Sequence, residues 1–449
     1  MVKDMTKGRP APIIMRFCLP VLLGTVFQQV YNVADTMIVG RYIGAEAPLA
    51  AIGTTGPLNF LVLGFVIGIC NGFCIPVAQK FGAGDEKEMR RFAANAAYLC
   101  VFFAVLITAL TTIFAWQLLR IMDVPEDIIE LSYSYIIMIF AGIPAAIAYN
   151  FLACLLRALG NSKAPLVFLA ISSIVNVALD LIFIMGFGMG LRGVGLATVL
   201  AQSLSALLCF IHISRGYPIL RFTREELRLR MKNCTKIISI GLPMGLQFSI
   251  TAIGGLILQR AVNGLGEAVI IASITTGNRI FLLFIQPLEA LGITMATFCG
   301  QNLGAKKLHR IKKGIRLAML IQVIYCAAAG VFLWFFGGHV AALFIGGGET
   351  AIIQNVQFHL RVIASTFLTI GILLVMRNSL QGLGYSFAAM FAGVSELVGR
   401  VAVAFFLVGR HGFYGAVFAG PVSWFLADIV LVVLYFVVMK RLKRKIGRG

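Results

Sequence analysis

Charge is what this sequence of 449 residues has least of. Asp, Glu, Lys and Arg make up 12% of it, about half the share of a soluble domain, while 59% is hydrophobic. A water-soluble globule of this composition would leave more apolar surface in water than soluble proteins tolerate, so the sequence implies a bilayer as solvent. Acids are the scarcer sign, 18 against 38 Lys and Arg, for a net charge of +20. No GxxxxGK[ST] run is present, which excludes a P-loop ATPase. The five His show no ligand spacing, and no Ser/His/Asp or Cys/His grouping is visible. Neither an enzyme, a metal site nor an organic cofactor is expected. Cys70 and Cys74 are one helical turn apart in an apolar run without His or acid nearby, so they read as packing residues, with neither metal nor disulfide expected among the nine Cys.

Long apolar runs are what the sequence has in quantity. Stretches of about 20 residues, enough to cross a ~30 Å hydrocarbon core, occur twelve times, centred near residues 25, 61, 104, 142, 175, 203, 248, 283, 327, 368, 398 and 427. The first follows Lys3, Lys7 and Arg9 with no small-residue cleavage site, and so reads as an uncleaved span. Assigning the termini and alternate loops to one side gathers 30 of the 38 Lys and Arg there, among them Arg157 and Arg377, against 5 on the other. The opposite loops carry acids instead: Glu46, Asp123, Glu126, Asp127, Glu130, Glu267 and Glu349. By the positive-inside rule both termini are cytoplasmic and the span count is even. The +20 is a topological label and predicts no nucleic-acid partner.

The two halves repeat each other. Pro20 aligns with Pro243, Gln79-Lys80-Phe81-Gly82-Ala83 with Gln301-Asn302-Leu303-Gly304-Ala305, and Leu156 to Gly160 with Leu380 to Gly384. Six spans per copy means both copies enter the membrane in the same orientation, a parallel repeat about an axis along the membrane normal. The expected fold is an all-α polytopic membrane protein with twelve transmembrane helices in two pseudo-symmetric six-helix bundles. Residues 1–214 form the first lobe, 215–236 a basic cytoplasmic linker, and 237–449 the second lobe. Two equivalent lobes around a shared cavity suit alternating access.

A charge at the centre of a span costs at least ~2.5–3.5 kcal/mol on insertion scales, so five intramembrane acids need a purpose. Asp35 closes a first span in which Gln28, Tyr31 and Asn32 share its helical face, and Pro20 removes one backbone hydrogen bond from that helix and permits a bend. Asp180 lies one turn after Asn176, a spacing that suits a proton or a bare cation. Glu396 and Arg400, at i and i+4, read as a mutually neutralising intramembrane pair. Glu289, after Gln286 and Pro287, faces a second-half cavity. Asp428 has no evident partner.

The first-span acid in "NVADTMIVGRYIG", the duplicated "AQKFGAGD" and "GQNLGAKK" loops, and "LRALGNS" against "LQGLGYS" make the chain resemble the multidrug and toxic compound extrusion (MATE) transporters over essentially its whole length. The resemblance implies a secondary antiporter of the cell membrane that exports bulky, often cationic organic compounds against an inward H+ or Na+ gradient. It implies a coupling group of Asp35, Asn176, Asp180 and the sixth-span hydroxyl Thr198, with Tyr135 and Asn150 as fourth-span polar residues of the same lobe and Pro20 as the bend. Members of other branches carry cation-binding acids in spans seven and ten; this chain has none there, which leaves the first lobe to do the coupling. A monomer in the bilayer, with small organic substrates as its partners, is expected. The rival reading is a lipid-linked saccharide flippase of the same superfamily, which would want a cationic cavity for pyrophosphate. A major-facilitator transporter is disfavoured because "QKFGAGDEKEMRR" lacks the G-x-x-x-D-R pattern.

Overall fold

The computed structural model describes residues 4–44, 47–345 and 349–446; Glu46, Lys3 and Arg448 lie outside them. Every regular element among the described residues is helical. The first lobe contains α1 (Pro10–Tyr42), α2 (Ala47–Gly82), α3 (Glu86–Ile113), the short α4 (Ala115–Ile121), α5 (Glu126–Ala141), α6 (Ile143–Ala158), α7 (Lys163–Leu181) and α8 (Gly190–Gly216). The second contains α9 (Met231–Asn263), α10 (Ala268–Gly304), α11 (Leu308–Ile345), α12 (Thr350–Gly382), α13 (Ser386–Val403), α14 (Gly409–Val417) and α15 (Ala419–Ile446). Eleven helical segments are individually long and apolar enough to cross a membrane, and the pair α5 and α6 forms a twelfth, bent by 46°. Helices are the answer to a solvent that cannot hydrogen-bond: each backbone group is satisfied within its own segment.

The bend has a local cause. Pro144 has no N–H to give Phe140, and its ring crowds that carbonyl, so the helix breaks at Gly142. A side chain at Gly142 would run into Val199. The repeat shows most clearly after the fifth and eleventh spans, where single turns of π-helix occupy equivalent positions, Ile182–Gly186 and Ala404–Val408.

The lobes do not pack as the chain order divides them. On α1, Ile14, Phe17, Cys18 and Val21 sit in the hydrophobic core of the second lobe with Leu291, Phe298 and Ile315. Reciprocally, Ile237 of α9 sits in the core of the first lobe with Phe73 and Phe92. Each lobe's first helix therefore crosses the boundaries expected at 1–214 and 237–449. Between them, α2 and α9 meet through Gly68 and Gly72 facing Gly241 and Gly245, a GxxxG contact that brings backbones together in a membrane. A Cβ on Gly68 would stand 2.6 Å from the Met244 carbonyl oxygen.

At the face bearing both termini, Gly82 and Gly304 let α2 and α10 cross against the backbones of Gln301 and Gln79. The Gln79 side chain donates to the Gly382 carbonyl at 3.1 Å, and the Gln301 side chain to that of Ala158 at 2.8 Å. Residues 4–9 add a strap, with Met5 N–H donating to Gln301 Oε1 at 2.9 Å and Lys307 to the Thr6 carbonyl at 2.9 Å. The 215–230 linker lies along α3, held by Arg90 to Glu226 at 2.9 Å.

Candidate functional site

Among the described residues, three of the cavities carry the intramembrane polar and charged side chains. The first, of about 350 Å³, is enclosed by the first lobe. From α1 it receives Gln28, Tyr31, Asn32 and Asp35, the face that helical spacing groups together. The other sides bring Tyr135 from α5, Asn150 from α6, Asn176 from α7 and Thr198 from α8. Asp180 stands behind this wall, fully buried, with its carboxyl group neighbouring that of Asp35 but not hydrogen-bonded to it. Sequence spacing alone does not bring these two acids together; the packing of α1 on α7 does.

Around the acids lie polar atoms with no protein partner: both Asp180 oxygens, Asp35 Oδ1, both ends of the Asn176 amide and the Ser172 hydroxyl. Buried polar groups are normally satisfied, and two adjoining carboxyls cannot both stay ionised without a proton or cation between them. Thr198 and Asn150 instead hydrogen-bond their own helices, to Val194 at 3.0 Å and Ala146 at 2.8 Å, and meet the cavity as its lining. Pro20 borders none of the cavities; it is buried where α1 passes into the second core.

The second cavity, about 370 Å³, belongs to the second lobe and holds Glu289, Glu396, Arg377 and Arg400. The expected Glu396–Arg400 pair is present at 3.9 Å, but Arg377 is the nearer partner at 3.2 Å. Arg400 also donates to the Thr251 carbonyl at 2.8 Å. Arg377, which the sequence counts among the inner-side cations, lies within the last turns of α12 and faces both this cavity and the central one. Asp428 on α15 sits on the Glu396 side of the same lobe and has one oxygen without a partner.

The third cavity, about 360 Å³, runs between the lobes. Gln28 and Asn32 connect it to the first cavity, Glu289 and Arg377 to the second. Arg157, also counted from sequence as a loop cation, is on its wall at the end of α6. Asn59, Tyr149, Gln202 and Ser205, none of them singled out from sequence, complete the first cavity. Gln202 and Ser205 share the helical face of Thr198 at i+4 and i+7, a spacing that could have found them.

Twelve spans in two interlocked lobes, with three polar cavities among them, define a membrane transporter. The chain belongs to the MatE family, whose profile matches residues 20–182 and 243–406, one copy in each lobe. It is 28% identical over 388 residues to the probable multidrug resistance protein YpnP of Bacillus subtilis, covering 85% of this chain and 84% of that one. It is 23% identical to a FAD transporter of Shewanella oneidensis, covering 88% of each. A solved multidrug resistance MATE family transporter in an outward-facing conformation superposes with a TM-score of 0.91 at 22% identity, over 98% of both chains. Members of this family are transporters and not enzymes.

Proposed function

We propose that this protein is a secondary antiporter of the cell membrane, with both termini cytoplasmic, that exports bulky, often cationic organic compounds in exchange for inward H+ or Na+. The observation that carries this reading is the meeting of Asp35 and Asp180 in the first lobe, with Asp35 on the helix that also enters the second lobe. A proton or cation taken from outside neutralises the acid pair. Neutralisation removes the repulsion between Asp35 on α1 and Asp180 on α7, so the outer half of α1 can close on α7, and α1 bends about Pro20, where one hydrogen bond is already missing. Because its inner half is embedded in the other lobe, this bend is transmitted to the lobe interface. The cavities then release the compound, the lobes rock, and the ion leaves inward. One inward charge supplies about 2.3 kcal/mol per 100 mV, and a tenfold ion gradient about 1.4 kcal/mol more.

The multidrug names of relatives support organic export, and none of the relatives named above is a flippase. Purified protein in liposomes, loaded with ethidium and given either a pH or a Na+ gradient, tests the reading. Efflux driven by one gradient and abolished by its collapse is expected; labelled-lipid flipping without ethidium movement would favour the flippase.

A further inference from the structure

Three charged residues line the central cavity: Arg157, Glu289 and Arg377. The two from the second lobe belong to a balanced group, because Arg377 and Arg400 share Glu396 and Glu289 adjoins Arg377. Arg157 stands outside that group and forms no ion pair among the described residues. Its one side-chain hydrogen bond runs from Nη2 to the Cys154 sulfur, at 2.9 Å. The same sulfur lies 3.0 Å from Asn71 Oδ1, and no carboxylate of the described residues reaches the guanidinium. The neighbouring wall contributes neutral amides, Gln29 and Asn71 from the first lobe and Gln247 and Gln381 from the second. The acids of the first cavity form no ion pair with Arg157; Asp35 lines the first cavity and not the central one.

A guanidinium on a confined cavity wall with no carboxylate partner is costly to keep, and its planar fork fits a carboxylate or phosphate better than any other group. A cavity of about 360 Å³ is within the size range of pockets for drug-sized ligands. We infer that Arg157 is a substrate-recognition residue that binds an organic oxyanion, so that the exported compounds include molecules carrying a carboxylate or phosphate beside their aromatic or cationic body. The inference rests on the central cavity being the export path. It extends the substrate class from cations to zwitterions and anions, with the acid group on Arg157.

Matched dyes test this. Rhodamine 110 and rhodamine 123 differ only by a methyl ester on the carboxylate, and flavin mononucleotide differs from riboflavin only by its phosphate. Binding of each to the purified full-length protein in nanodiscs is read by fluorescence anisotropy. Wild type is expected to bind at least one free acid about tenfold or more tighter than its counterpart without the acid group, the usual scale of a charge-assisted hydrogen bond. Arg157→Gln is expected to erase that preference, read as the ratio of acid to counterpart affinity; Arg157→Lys, which keeps the charge without the fork, retains part of it. The wild-type comparison stands even where Arg157→Gln fails to fold. Equal binding of acid and counterpart in both pairs overturns the role of Arg157 and leaves the exporter reading intact. A preference that survives in folded Arg157→Gln also overturns it. Binding of no dye overturns both readings.

Discussion

Gln79 and Gln301 hold equivalent places in the two repeats and perform the same act in opposite directions. Each reaches across the lobe interface to donate to the end of a helix in the other lobe, Gln79 to Gly382 and Gln301 to Ala158. Gly82 and Gly304 make this possible by letting the backbones cross without side chains between them. The pair closes the face that bears the termini, and alternating access requires this closure to open.

Bulk at Gly304 should therefore hold the termini face apart. Gly304→Leu would drive a side chain into the Gln79 carbonyl. Spin labels on Lys87→Cys and Lys313→Cys are readable against nine buried native cysteines. The account expects a longer-distance population in Gly304→Leu, and an unchanged distribution would show that this crossing is not the gate.

Pro20 is the second point of control. Replacing it with Ala restores an N–H donor and a continuous hydrogen-bond ladder, removing the preferred bending point. Turnover in liposomes is expected to fall by about tenfold or more, with the melting temperature unchanged or raised. Undiminished turnover in Pro20→Ala would place the bend elsewhere.

Stability rests partly on the α2–α9 contact. Gly68→Val overpacks against Met244 and Gly245 and should cost about 1–3 kcal/mol, seen as a lower melting temperature. Gly56 on the same helix has open space around it, so Gly56→Ala should be neutral or mildly stabilising, by up to about 1 kcal/mol. A tolerant Gly68 would mean that the lobes are not held by this crossing.

The linker gives a pH signature. Burial pushes the Glu226 carboxyl upward, but the Thr223 amide and the Arg90 guanidinium outweigh it and hold it below the usual carboxylate range. A depressed carboxylate stabilises the fold above its unfolded pKa, and this stability is lost as pH falls through the folded value. Glu226→Gln should thus lower stability at neutral pH by on the order of 1 kcal/mol, with the difference from wild type vanishing in acid below the ordinary Glu range. A gap that persists at low pH would assign the loss to packing.

The twelve spans, the repeat and the first-lobe acids were legible because each leaves a one-dimensional trace: an apolar run, a fixed offset, a charge where none is expected. The break near residue 142 has a trace in Pro144, and the lobe crossing in Gly68-x-x-x-Gly72 and Gly241-x-x-x-Gly245, but neither motif names its partner. Contacts between distant spans leave no such trace. Nothing in the chain says that Ile14 packs in the second lobe and Ile237 in the first, or that Asp35 meets Asp180. Arg157 and Arg377 misled for a physical reason. A cation at a helix end beside a basic loop looks like an interfacial residue, and only the surrounding helices reveal that it faces a cavity.

The central claim is that Asp35 and Asp180 together bind the coupling ion. Its most direct test is ion-driven ethidium efflux and coupled ion uptake, both measured in the same liposomes, for wild type, Asp35→Asn and Asp180→Asn. Each variant is expected to fold, to bind ethidium still, and to lose both gradient-driven efflux and the accompanying ion flux. Full gradient-driven efflux with undiminished ion flux in both variants would contradict it.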